Sequence, residues 1–177
     1  MLLGLTGAVL HTVLKLRLGV PGHAALLWLV PLLIGRGLAP AAGAASVAST
    51  SLAAGLFALG GFSLHWPVVL TFGTFWLVGP VLDLYLLFVD GKRSDRVESR
   101  LSVAGRWAWL VLPVGGVAGN FAHLALKLGF GVMRPHAGGM GIPGGYYEAV
   151  TYLAFGLAAG VIAHAAVVPI RRHRSAT

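Results

Sequence analysis

The chain has 177 residues, of which 57% are hydrophobic and 10% charged, and its mean hydropathy is +0.84. Soluble domains carry about a quarter of their residues as charged groups, so this composition predicts a polytopic membrane protein forming one unit. The lack of cysteine excludes disulfides, Cys-ligated zinc and thiolate chemistry; the net charge of +8 lies in short connections beside apolar spans, which argues against nucleic-acid binding.

Six apolar segments follow one another, at 2–18, 23–38, 41–61, 67–89, 107–131 and 147–170. The expected fold is all-α: a single six-span transmembrane domain over 1–170, with a basic cytoplasmic tail at 171–177. The first segment is apolar from Leu2 and lacks a basic leading region, so it reads as a retained span. It carries Gly4 and Ala8, then His11 and Lys15 one turn apart, then Arg17. A Gly-Val-Pro-Gly-His turn at 19–23 leads into the second segment, which is short and contains Pro31. That pairing predicts a tilted, kinked or partly re-entrant helix.

The third segment is built from small residues, with Ala41, Ala45, Ser49 and Ala53 at every fourth position. Gly4/Ala8 and Gly156/Gly160 repeat the spacing on the first and sixth segments. Such faces let helices approach closely, either within one bundle or against another subunit. The fourth segment opens on His65, Trp66 and Pro67 and carries Asp83 near its far end. Asp83 is expected to face Arg100 or Arg106 at the interface, or else to pair with a buried cation.

The distribution of Lys and Arg sets orientation. Lys92, Arg93, Arg96, Arg100 and Arg106 lie between the fourth and fifth segments, and Arg171, Arg172 and Arg174 follow the sixth. With both regions cytoplasmic, Arg36 and both termini also fall inside. Four basic residues break the rule: Lys15, Arg17, Lys127 and Arg134 fall in or near the outer half.

The fifth segment holds the most telling pattern. Asn120, His123 and Lys127 stand at i, i+3 and i+7, on one face of a helix. An amide, an imidazole and an ammonium are costly in lipid, so they are expected to face protein or a water-filled cavity. The connection at 132–146 is rich in glycine and proline, has the length of a lid, and closes on Tyr146 and Tyr147. His164 reads as a helix–helix hydrogen-bonding group and His173 as a solvated tail residue.

Catalytic motifs are absent: the sequence has no Walker pattern, no GxSxG, no HExxH, and only five acidic residues. No enzyme activity, metal or cofactor is expected. An outer polar pocket without a motor reads as a binding component, with His11, Lys15, Asn120, His123 and Lys127 inside and Arg17, His23 and the 132–146 loop at its mouth. Two ammonium groups in a low-dielectric pocket need counter-charge, so a carboxylate or phosphate ligand is expected. The alternative is a haem-binding or structural accessory subunit of a membrane redox complex. Its motive is His11, His65, His123 and His164, of which only His11 and His123 lie at matching depth.

The segment Leu18-Gly19-Val20-Pro21-Gly22-His23, the run Gly79-Pro80-Val81-Leu82-Asp83-Leu84 and the run Gly119-Asn120-Phe121-Ala122-His123 resemble stretches of the substrate-binding membrane subunits (S-components) of energy-coupling factor transporters. Gly4 and Ala8 stand where that family has a small-residue motif, with glycine in place of alanine. The resemblance implies a multi-pass protein of the bacterial cell membrane that captures a vitamin-like micronutrient. It also implies a transmembrane coupling subunit, contacted through Gly4 and Ala8, and two cytoplasmic ATPase subunits that power uptake.

Overall fold

A short apolar helix forms the centre of the structure. This computed structural model describes residues 1–14, 20–39, 41, 43–60, 66–91, 108–131 and 146–175. Among the described residues there are six helices and no strand: α1 (Leu2–Leu14), α2 (Ala25–Leu38), α3 (Ala44–Leu59), α4 (Trp66–Gly91), α5 (Ala108–Gly129) and α6 (Tyr146–Ser175). At 1.5 Å per residue α2 is about 21 Å long, against roughly 30 Å of bilayer hydrocarbon. It packs against α1, α3, α5 and α6. Trp28, Leu29, Leu32 and Leu33 are sealed from solvent, so its apolar surface is covered by protein on several sides. Pro31 is accommodated inside a continuous helix.

The remaining contacts run as an open row around it: α1 on α3, α3 on α4, α4 on α5 and α5 on α6. Segments Val69–Phe88, Trp109–Gly129 and Tyr146–Ile170 are each long and apolar enough to cross a membrane. Their outward faces carry large exposed side chains such as Leu84, Phe88, Leu153, Leu157 and Ile162. Rows of this kind suit lipid rather than water. α1 and α3, like α2, are shorter apolar helices.

Small residues set the closest packing. A side chain on Gly4 would run into the Ala48 carbonyl of α3, and one on Gly55 would meet the Ala8 methyl at 2.8 Å. Gly4 and Ala8 are therefore buried against α3, inside the bundle. The surface of these two residues is covered by this chain. The same logic joins α5 to α6, where a Cβ on Gly116 would strike the Gly156 carbonyl and one on Gly160 the Leu112 carbonyl.

Asp83 takes the second of the two roles expected of it, pairing with a buried cation: it meets Arg36, Nε to Oδ1 at 3.6 Å, within the bundle; Arg100 and Arg106 lie outside the described residues. Helix α3 starts without a side-chain cap of its own. The Asp83 carboxylate supplies one from α4, accepting from Ala45 N at 3.2 Å, Ser46 N at 2.8 Å and Ser46 Oγ at 2.6 Å. Residues 171–175 of the expected tail continue α6 as far as Ser175. Its basic run stands at a helix C-terminus, where positive charge is favoured.

Candidate binding cavity

The cavity forms at the end of the bundle where α1 finishes and α2 begins. His11 belongs to the last turn of α1. The turn at 20–24 then doubles back into α2, and it does so through Gly22, whose φ of +82° is the left-handed region open to glycine. The Cα of Tyr152 would lie only 3.0 Å from a Cβ at Gly22, so the turn sits directly on α6. His23 is fixed in the turn by a hydrogen bond from its Nδ1 to the Val20 carbonyl.

Helix α5 contributes the polar face. Asn120, His123 and Lys127 all line the cavity, which measures about 350 Å³. Asn120 is fully buried and His123 is 2% exposed. Asn120 Nδ2 donates to the Tyr152 carbonyl on α6 at 2.7 Å, which holds the amide in place. Its Oδ1 has no partner, and neither have His11 Nδ1 and His123 Nδ1. Buried polar atoms are normally satisfied, because leaving one unpaired costs about 1–3 kcal/mol. These three atoms lie behind the cavity wall, closed to solvent, although their residues line it. Lys127 adds a positive charge to the same wall, and no carboxylate among the described residues pairs with it.

Aromatic rings complete the lining. Phe75 of α4 packs against His123 at 4.5 Å and against His11 at 5.6 Å between ring centroids. Trp28 meets Phe75 edge-on at 5.2 Å and His123 at 5.0 Å. Tyr152 lies 6.4 Å from His123. Helices α1 and α5 do not pack on each other; they contribute to one cavity with Phe75 bridging their two histidines.

Five residues expected from sequence therefore line a single cavity: His11, His23, Asn120, His123 and Lys127. Lys15, Arg17, Arg134, His65 and the 132–145 connection lie outside the described residues. His164, half-buried near the far end of α6, is not part of the cavity. Trp28, Thr71, Phe75 and Tyr152 line it without having been singled out by sequence. Glu148 was also missed: it is 1% exposed, in the first turn of α6, one turn before Tyr152. A usable signal existed for Glu148, the one acidic residue of five that sequence places at this end of the chain's spans. No group of three or more His, Cys, Asp or Glu suited to a metal ion occurs among the described residues.

Comparison with family models, curated proteins and solved structures finds no match to this chain.

Proposed function

We propose that this chain is a six-span protein of the bacterial cell membrane, with both termini cytoplasmic, that binds a small anionic solute as the capture subunit of an uptake transporter of the energy-coupling factor kind. The observation that carries this reading is the cavity wall, where Lys127 stands among His11, His23, Asn120 and His123 with no carboxylate pairing with it among the described residues. A wall of this composition gains counter-charge when an acidic ligand enters. The bundle's polarity supports the orientation. The cavity occupies one end, whereas Arg36, the basic end of α6 and Asp83 occupy the other, as the positive-inside bias requires of an outward-facing site.

Transport needs energy that this chain has no motif to extract, so the reading requires a membrane coupling subunit and two ATPase subunits. With Gly4 and Ala8 covered by α3, the coupling subunit would meet the outward side of α1, where Leu2, Leu5, Val9 and Val13 are exposed. The haem alternative is less well supported. The Phe75 ring packs on both His11 and His123, so the space beside those imidazoles is already partly filled.

The test is native mass spectrometry of the full chain, extracted gently from membranes together with the products of its neighbouring genes. A bound organic acid that disappears in Lys127→Ala, with ATPase subunits present, is the expected result. A haem mass, or an unliganded chain bound only to other membrane subunits, overturns the proposal.

A further inference from the structure

The cavity joins two helices that do not pack on each other. Helix α1 packs on α2 and α3, and α5 on α2, α4 and α6; the two come together as cavity walls, α1 through His11 and α5 through Asn120, His123 and Lys127. Asn120 and His123 are sealed from solvent, so they shape the wall without meeting its contents. His11 and Lys127 are only partly buried. Nδ1 of His11 is closed off, which makes Nε2 the nitrogen that a molecule in the cavity can reach.

The groups around His11 are mostly bases. Those that share the cavity with it are His23 of the turn, His123 and Lys127 of α5, and Tyr152 of α6. Of the helices packed on α1, α3 carries no titratable side chain, and α2 carries Arg36 alone, at the opposite end of the bundle. Helix α4 sets the Phe75 ring against His11. No carboxylate lines the cavity among the described residues, and Glu148 of α6 is buried outside the lining.

Charge balance then narrows the ligand. At about pH 7.5 a free imidazole is neutral and an ammonium is charged. The ammonium of Lys127 alone matches a monoanion. A dianion would leave one negative charge uncompensated in a space shielded from water, which is costly, and protonation of an imidazole removes that cost. His23 is committed through Nδ1 to the Val20 carbonyl and His123 is sealed, which leaves His11. The two bases stand on separate helices, around a volume of about 350 Å³. That arrangement suits two separated carboxylates better than one compact dianion such as phosphate.

We propose that the cavity takes a small dicarboxylate, one carboxylate on Lys127 of α5 and the other on His11 of α1, and that capture draws one proton from solvent onto the His11 ring. The ligand then ties α1 to α5. This rests on the solute-binding reading above and narrows its ligand class.

The experiment is calorimetric titration of the full chain in detergent, stripped of ligand, at about pH 7.5. It is run in two buffers of different ionisation enthalpy, so that the difference in heat reads proton uptake. Benzoate is the monoanion; phthalate, isophthalate and terephthalate carry a second carboxylate at three separations. The expected result is that one of the dicarboxylates binds about tenfold more tightly than benzoate and takes up about one proton, while benzoate takes up none. In His11→Gln, whose side chain is polar and does not ionise, the uptake should vanish and the advantage over benzoate should fall, with benzoate itself unaffected. Dicarboxylates that bind no better than benzoate, or bind without proton uptake, overturn the inference and leave the anionic-solute reading standing. Uptake that persists in His11→Gln overturns the role of His11. Failure of all four acids to bind overturns both readings.

Discussion

Arg36 of α2 and Asp83 of α4 meet at 3.6 Å at the end of the bundle opposite the cavity, and neither is more than 7% exposed. The two partners are not equivalent. Asp83 also accepts three hydrogen bonds from the first turn of α3, so it ties α2, α3 and α4 together. Removing Asp83 breaks the ion pair and uncaps α3, whereas removing Arg36 breaks the ion pair alone and leaves a carboxylate that keeps its three donors. Asp83→Ala is expected to cost about 3–5 kcal/mol, and Arg36→Met distinctly less. The double variant should be more stable than the sum of the two losses implies. Thermal unfolding in detergent reads all three, and equal losses from the two single changes would contradict this asymmetry.

Glycines on the helices separate into two kinds. A methyl at Gly160 meets the Leu112 carbonyl and the Pro113 Cα, backbone atoms that cannot swing aside, whereas one at Gly73 meets nothing within 4 Å. Gly160→Ala should therefore force α5 and α6 apart and lower stability by about 1–3 kcal/mol. Gly73→Ala should raise it by roughly 0.5–1 kcal/mol through the better helix propensity of alanine. A comparison of unfolding midpoints under one detergent condition checks both signs at once.

Trp28 stands where the core of α2 becomes the wall of the cavity. It touches Phe75 and His123, and its side chain is almost wholly enclosed. Truncation to alanine should open a void and cost about 3–5 kcal/mol. Trp28→Phe keeps most of the apolar volume and should cost far less, while still loosening the His123 ring. The resulting order in detergent stability, wild type above Trp28→Phe above Trp28→Ala, should be matched by the order in ligand retention.

The polar face of α5 could be read from spacing alone, because Asn120, His123 and Lys127 are out of place in an apolar segment and recur at helical intervals. His11 was legible for the same reason, and His23 from its place in the turn that follows. Trp28, Phe75 and Tyr152 gave no such signal: an aromatic in a membrane helix is as well suited to lipid or a helix contact as to a cavity wall. Partner choice between helices was also hidden. Gly4 and Ala8 announce that something comes close, and only the three-dimensional arrangement shows that it is α3. Asp83 illustrates the same limit, since its cation lies 47 positions away at Arg36, and local sequence offered Arg100 and Arg106 as nearer candidates. The segment boundaries were found to within a few residues for α4 and α5, where hydrophobic length dominates. Prediction was poorest at the end of α6, where charge at a helix C-terminus prolongs a helix that hydropathy would have stopped.

Lys127 sets binding against stability. Its ammonium is half-buried in a cavity wall, with no carboxylate partner among the described residues, and removal of a charge from water costs several kcal/mol in a protein interior. Methionine has nearly the same length and no charge, so Lys127→Met should leave the packing of α5 intact. In the ligand-free protein the substitution is expected to raise the unfolding midpoint by a few degrees, about 2–4 °C for each kcal/mol at this chain length. With ligand present the order should reverse, because the wild type gains stability in proportion to occupancy and the variant does not. Unfolding curves of both proteins, stripped and then supplemented with benzoate as a small organic acid, provide the four midpoints required. A variant less stable than the wild type in the stripped state would show that Lys127 is held by structure, and its place in a ligand site would then have to be given up.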